Sequence, residues 1–164
     1  MAKMRVPVVT IVTSLLLLGA QPASADATAF VGANTTPSNR LVRGFAVGVG
    51  FLIVGFEFEY AFTSEDTSTS TRAPSLKTGM GNVLVQTPTA IFGFQPYATA
   101  GIGVYREQLD AHEDTDLGTN IGGGAKINLL GPIRLRLDYR VFNLGNGALN
   151  SPAHRVYAGL NLAF

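Results

Sequence analysis

The chain has 164 residues, of which 12 are basic and 11 acidic, and charged residues make up 14%, against roughly 25% in a typical soluble domain. The net charge of +1 argues against a general nucleic-acid-binding protein, because such a protein needs a clustered basic surplus. The absence of cysteine excludes a disulfide scaffold, a thiolate metal site and a cysteine nucleophile.

The first segment is predicted to be a secretory signal peptide. Lys3 and Arg5 precede an uncharged, mostly apolar run over 6–20, and Ala23 and Ala25 form an A-x-A cleavage site. The apolar run is shorter than the ~20 residues that a membrane-spanning helix needs. We therefore expect a cleaved leader over 1–25 and an exported domain over 26–164.

The rest of the chain alternates between apolar and polar residues with a period of two. Between Ile133 and Val141 every second residue is apolar, and the residues between them are three arginines and an aspartate. A strand places these four charges on one face, whereas a helix would scatter them. The same period predicts eight strands. Their approximate ranges are 27–34, 43–51, 52–63, 79–87, 96–107, 118–129, 133–143 and 154–164.

The predicted connections alternate in length and polarity. The long, polar ones are Thr35–Val42, Ser64–Thr78, Glu107–Leu117 and Leu144–Ala153, and the shorter or more apolar ones are Gly50–Ile53, Pro88–Gln95 and Leu130–Pro132. Long loops at one end and short turns at the other are typical of a bacterial outer-membrane barrel with both termini at its periplasmic end. Gly50–Ile53 is unusually apolar for a turn, and the strand boundary there is the least defined.

Two barrel arrangements fit strands with one polar and one apolar row. A soluble lipocalin-like barrel would turn its apolar row inward around a hydrophobic ligand, whereas a membrane barrel turns it outward to lipid. The low charge, the aromatic series in the apolar row and the strand lengths favour the membrane barrel. A closed sheet also pairs every backbone group internally, as hydrocarbon requires.

The C-terminal residues Tyr157-Ala-Gly-Leu-Asn-Leu-Ala-Phe164 resemble the terminal β-signal of outer-membrane proteins, which runs polar-x-Gly-x-x-apolar-x-aromatic. With the leader and eight strands, the chain resembles the small eight-stranded barrels of the OmpA/OmpX type. The resemblance implies an all-β, antiparallel transmembrane barrel in the bacterial outer membrane, surrounded by bilayer lipid and lipopolysaccharide. It also implies recognition by the barrel-assembly machinery, through Tyr157, Gly159, Leu162 and Phe164.

The lumen of an eight-stranded barrel is just wide enough for its side chains to fill. Charged residues of the polar rows are predicted to meet there across the bore. They are Glu57, Glu59, Lys126, Arg134, Arg136, Asp138 and Arg140. The short connection after Leu130 pairs Gly124 with Asp138 and Gly122 with Arg140, which leaves room for large side chains. These charges predict either a stabilising plug, which we favour, or an ion path.

Two groups of residues are candidates for chemistry. The acidic run over 107–116 contains Asp114-x-Asp116, a spacing that a divalent cation could use, but the full calcium-loop pattern is missing and a solvated loop is favoured. Ser151 and His154 suggest a barrel-embedded lipid-modifying hydrolase, but a turn at Pro152 is a sufficient explanation of these residues and is favoured. We expect a monomeric, non-enzymatic structural or surface-interacting barrel without metal or cofactor.

Overall fold

The computed structural model describes residues 24–68 and 72–164. Eight antiparallel strands form a closed barrel, in which each strand pairs with its sequence neighbours and β1 pairs with β8. The strands are β1 (Ser24–Asn34), β2 (Arg40–Phe51), β3 (Val54–Thr63), β4 (Ser75–Gln86), β5 (Phe94–Leu109), β6 (His112–Leu130), β7 (Ile133–Asn143) and β8 (Ala153–Ala163). The predicted all-β fold of eight antiparallel strands is confirmed. Within the described ranges, no helix is long and apolar enough to cross a membrane.

The connections give the barrel two different ends. The turn end holds the start of β1, the end of β8 and the connections 52–53, 87–93 and 131–132. The loop end holds the connections 35–39, 64–74, 110–111 and 144–152. The predicted turn between the second and third strands is confirmed, and its residue Leu52 adopts the left-handed φ of 51° that such a tight reversal uses.

The predicted long loop over Glu107–Leu117 is wrong. β5 and β6 continue pairing up to Leu109 and His112, so that only residues 110–111 form the turn. The polar residues still alternate between the two faces of the hairpin, and ladder pairing needs no apolar side chains outside a membrane. On the outer face, Arg106 Nη2 lies 2.7 Å from Glu113 Oε1.

The alternating rows have the orientation that a membrane barrel requires. On β3, the side chains of Phe56 and Phe58 are 59% and 48% exposed, whereas Glu57 and Glu59 face the lumen and are buried. The apolar exterior of β5 ends at Val104, because the next outward residue is Arg106. The segments beyond this level extend past the apolar band.

Candidate functional site

The centre of the lumen contains an ionic layer around Glu57, across the bore from β7. Arg136 pairs with Glu57, and Arg140 Nη2 lies 2.9 Å from Glu57 Oε1. Asp138, which lies between the two arginines in sequence, accepts from Arg136 Nη2 at 3.1 Å and from Arg140 Nε at 3.0 Å. The two guanidinium groups are therefore held from both walls, and all four side chains are buried.

Glu59 and Arg155 extend this ionic layer towards the loop end. Arg155 Nη1 lies 3.1 Å from Glu59 Oε1, and its guanidinium group stacks over the Phe142 ring at 4.2 Å. Arg140 Nη1 lies 3.2 Å from Glu59 Oε2. With Arg155 included, three carboxylates face three guanidinium groups, so that the layer is electrically balanced. Such balance is what burial of charge in a narrow bore requires.

Two tyrosines connect the carboxylates. Tyr157 Oη lies 3.1 Å from Glu59 Oε2 and 3.0 Å from Asp138 Oδ2. Tyr97 donates to Asp138, and its oxygen accepts from Arg136 Nε at 2.7 Å. The two phenol groups therefore supply hydrogen bonds to carboxylate oxygens and a guanidinium nitrogen in addition to those of the ion pairs.

Glycines on β6 make the space for this layer. The register places Gly124 opposite Asp138 and Gly122 opposite Arg140, which confirms the pairing predicted from the short connection. A Cβ atom at Gly124 would lie 2.6 Å from Tyr97 Oη, and one at Gly122 would lie 2.8 Å from Arg140 Cγ. The carbonyl oxygens of Leu137 and Tyr139 would lie closer still, at 2.1 and 2.2 Å, so that a larger residue at either position would displace the backbone of β7 together with the ionic layer.

Lys126 and Arg134 form a separate cluster at the turn end. Both bind Asp26, with Nζ to Oδ2 at 2.5 Å for Lys126 and Nη2 to Oδ2 at 3.4 Å for Arg134. A cavity of about 400 Å³ extends inward from this cluster and reaches Glu57. The seven predicted charges thus divide into two groups. Five lie in the central ionic layer, and Lys126 and Arg134 lie at the turn end, where both pair with Asp26.

The loop end of the lumen is closed by an apolar layer under the connection 144–152. Its buried members are Leu76, Met80, Tyr105, Phe142, Leu144 and Ala153. The connection folds over them, because Leu149 N donates to Glu107 Oε2 at 2.6 Å and Leu144 N donates to Ser151 Oγ at 3.1 Å. Burial raises the pKa of Glu107, which lies beyond the apolar band, above its ordinary value of 4.5.

The structure does not bring the candidate hydrolase residues together. His154 Nδ1 lies 2.7 Å from the outward-facing Tyr139 hydroxyl, whereas Ser151 Oγ is engaged by Asn143 and Leu144. The acidic run is likewise spread over both faces of the β5–β6 hairpin. Among the residues placed by the structure, no group of three or more His, Asp or Glu side chains could hold a metal ion.

The predicted assembly residues and the processing residue Ala25 lie at the seam between β1 and β8. Tyr157 and Gly159 face the lumen, whereas Leu162 and Phe164 are exposed on the outside. Ala25 lies within β1, and it exchanges two backbone hydrogen bonds with Phe164 at 2.8 and 2.9 Å. Ala23 lies outside the described residues, so cleavage of the leader stays a prediction.

Comparison with known proteins places these features in a family. The model of the outer membrane protein beta-barrel domain matches residues 10–164. The chain belongs to this family. It is therefore an outer-membrane β-barrel. No curated protein matches it in sequence.

Solved barrels share the fold at low sequence identity. The N-terminal β-barrel domain of Pseudomonas aeruginosa OprF superposes with a TM-score of 0.65 at 15% identity, covering 86% of this chain and 97% of that domain. Neisserial surface protein A gives a TM-score of 0.60 at 13% identity, covering 86% and 94%. A de novo designed transmembrane β-barrel gives 0.58 at 18% identity, covering 88% and 98%. At these identities the likeness shows the fold alone.

Sequence reasoning missed four members of the lumen, of which Tyr157 is predicted only as part of the assembly signal. Asp26 lies one residue before the predicted first strand. Arg155 lies within the predicted last strand, but its partner Glu59 cannot be inferred without the diameter and tilt of the barrel. Tyr97 lies opposite Gly124 on a neighbouring strand, and this pairing is the signal that could have identified it.

Proposed function

We propose that this outer-membrane barrel is a non-conducting structural or surface-interacting protein rather than a channel or an enzyme. The observation that carries the proposal is the ionic layer, in which the side chains of Arg136, Arg140 and Glu59 are each 0% exposed. The charged groups of this layer are already paired with one another, so that an ion entering the turn-end cavity finds no unpaired charged group to bind there.

The apolar layer supports the same conclusion from the other side. Met80, Tyr105 and Phe142 are fully buried beneath the connection 144–152. A conducting pore would need a continuous polar path, and this lumen has one ionic and one apolar obstruction in series. The soluble lipocalin-like alternative is wrong, because the apolar rows face outward and the lumen holds charges instead of a hydrophobic ligand site.

A hydrolytic function has little support in the geometry. Nucleophilic catalysis needs a base within hydrogen-bond reach of the nucleophile and an acid that orients the base. His154 instead bonds to Tyr139 on the outer surface, at a position suited to an aromatic and polar membrane interface. We therefore propose that the protein is not an enzyme.

The proposal includes the surroundings and biogenesis of the protein. Outer-membrane lipid and lipopolysaccharide contact the outward rows, and the barrel-assembly machinery recognises the last strand through Gly159, Leu162 and Phe164. The barrel is monomeric, because closure leaves no open strand edge for a second copy. The leader over 1–25 directs export before folding.

Single-channel recording tests the closed lumen. The full-length protein is refolded and reconstituted in a planar bilayer, and an unheated SDS gel verifies folding by its altered migration. We expect no stable conductance from the wild type. Leu144→Ser together with Arg136→Gln is expected to introduce intermittent conductance, because it weakens both obstructions. Steady, high conductance of the folded wild type would refute the proposal.

A further inference from the structure

The outer wall carries a row of basic residues on neighbouring strands at the loop-end limit of the apolar band. Arg43 pairs in register with Phe62, Phe62 with Lys77, and Lys77 with Arg106. All four side chains point away from the lumen, so this outer-wall row spans β2 to β5. Three strand spacings make the row about 14 Å wide.

The cations of this row are held over an aromatic ring rather than neutralised. The guanidinium carbon of Arg43 and the ammonium nitrogen of Lys77 lie 5.9 and 5.8 Å from the centre of the Phe62 ring. Neither forms an ion pair with any residue in 24–68 or 72–164. Arg106, at the end of the row, pairs with the outward Glu113. The two cations that flank Phe62 are therefore available to an external anion.

A groove lies on the outer wall nearer the membrane interior than this row, and Gly79 lies between the row and the groove. The outward residues of β4 after Lys77 are Gly79 and Gly81, and Gly81 lies about 13 Å from Lys77 along the strand. The groove beside Gly81 has a volume of about 450 Å³ and apolar walls that include Val47, Phe58 and Val83.

The two groove glycines are not required by packing. A Cβ atom at Gly79 would meet nothing within 4 Å, and one at Gly81 would meet only the Ile102 carbonyl oxygen at 3.7 Å. On the adjacent strand β5, by contrast, glycine is required by packing. A Cβ at Gly101 or Gly103 would lie about 2 Å from neighbouring atoms. The floor of the groove is thus open where side chains would fit.

We propose that the outer-wall row and its groove bind one phosphorylated, acylated glycolipid of the outer leaflet, the lipid A portion of lipopolysaccharide. The phosphates lie against Arg43 and Lys77, and an acyl chain lies over Gly79 and Gly81. This inference deepens the proposed function and rests on its membrane orientation. An anionic phosphorylated lipid is favoured, because a zwitterionic lipid balances its own phosphate and leaves no net negative charge for the two cations in the interface.

The position of the row identifies the leaflet. The loop end faces the cell exterior, so Arg43 and Lys77 meet headgroups of the outer leaflet. Apart from Arg43 and Lys77, the outward strand residues that the structure describes carry only the Arg106–Glu113 pair as charges, and Arg106 belongs to the same row. A general anchoring role would distribute cations around the circumference, whereas these are confined to one sector beside the groove.

Lipid titration of the refolded full-length protein in zwitterionic micelles tests the proposal, with bound lipid counted by native mass spectrometry. The probes are diphosphorylated lipid A, its monophosphorylated form, phosphatidylcholine and inorganic phosphate. We expect Arg43→Gln/Lys77→Gln to weaken the binding of diphosphorylated lipid A about 25-fold. Each cation near an anionic lipid surface increases the binding constant by a factor of about five, and two cations are removed.

Three further variants separate the charge from the groove. Arg72→Gln removes a loop cation that pairs with Asp110, and it should leave binding unchanged. Glu113→Gln frees Arg106 and should tighten binding of the diphosphorylated lipid. Gly81→Val fills the groove, and it should weaken both forms of lipid A alike.

The proposal is overturned if Arg43→Gln/Lys77→Gln binds as the wild type does, or if Arg72→Gln is equally impaired. Equal binding of phosphatidylcholine, whose phosphate is balanced by its choline cation, would remove the role of net negative charge, and displacement by inorganic phosphate at similar concentrations would indicate a free-anion site. Folding of every variant is verified by its unheated gel migration. A folded, non-conducting protein that binds no lipid A would refute this inference and leave the proposed function standing.

Discussion

The ionic and apolar layers close the same bore by different chemistry. In the ionic layer each arginine has several partners on two walls, so that geometry and charge are both specified. In the apolar layer, Met80 makes only apolar contacts beneath a connection that docks from one side, and Phe142 contacts the ionic layer solely through its ring, which lies under Arg155. The middle of this lumen is therefore stabilised by partners that all lie on strands. The obstruction at the loop end depends partly on the 144–152 connection.

The largest effect is expected from removing the acids of the ionic layer. Glu57→Gln/Glu59→Gln leaves buried arginines uncompensated, and breaking a buried ion pair from one side typically costs about 3–5 kcal/mol. The urea midpoint of the barrel in lipid should therefore fall. Adding Arg136→Gln/Arg140→Gln should restore part of the stability, because the free-energy changes of substitutions at contacting residues do not add. Strict additivity of the four changes would contradict the contacts across the bore.

A substitution that creates a cavity in the apolar layer should lower the free energy of unfolding by less. The size of this loss should depend on the side-chain volume removed rather than on charge. Met80→Ala is expected to lower the free energy of unfolding by about 2–5 kcal/mol, the usual range for a buried methionine. Met80→Leu conserves volume and should cost below about 1.5 kcal/mol. Urea unfolding of both variants checks this, and equal losses would show that packing volume does not matter in this layer.

The exterior of the same strands allows a third test. Phe58→Arg places a charge near the bilayer midplane and is expected to cost about 2–4 kcal/mol of folding free energy in lipid. Leu117→Arg is the matched control, because the outward residue Leu117 pairs with Val104 at the limit of the apolar band, where the cost falls to about 0–1 kcal/mol. A harmless Phe58→Arg, measured by folding into vesicles, would contradict the outward orientation.

The smallest effect concerns the docked connection and pH. Burial raises the pKa of Glu107, so its stabilising contribution is fully present below the ordinary carboxyl pKa of 4.5 and is lost as the pH rises through the higher folded value. Asp114 also raises this pKa, whereas the Leu149 N–H, His112 and Arg40 lower it.

Hydrogen exchange over 144–152, corrected for its intrinsic pH dependence, should therefore become faster from acidic to neutral pH. Glu107→Gln keeps an oxygen for Leu149 N and should remove the trend. The effect is local, since opening of a surface connection does not unfold the strands. An unchanged trend in the glutamine variant would exclude Glu107 as its cause.

Much of the fold could be predicted because alternation reports directly on strand faces. β7 matches its predicted limits of 133–143, since its arginines and aliphatic residues define both rows without ambiguity. The β5–β6 hairpin was mispredicted because polar residues beyond a membrane carry no apolar signal, although their backbone still pairs.

The candidate site was only partly predictable for a related reason. Alternation identifies lumen-facing residues, but it does not determine the height at which each one meets the opposite wall. Glu57 and Arg136 lie at one level, whereas Lys126 and Arg134 lie nearer the turn end with Asp26. Strand tilt and stagger determine these heights, and they follow from closure of the whole sheet.

The seam between β1 and β8 sets the order of events during folding. Asp26 pairs with Ala163 and Asn34 with Arg155, so this ladder joins segments separated by more than a hundred positions in sequence. Such distant pairing is slow, since the intervening chain must be ordered before the contact can form. Until it forms, the outer edges of β1 and β8 each present unpaired backbone groups to any other extended chain. The period between synthesis and seam closure is therefore when this protein is most vulnerable to aggregation, and protection by a chaperone is most valuable then.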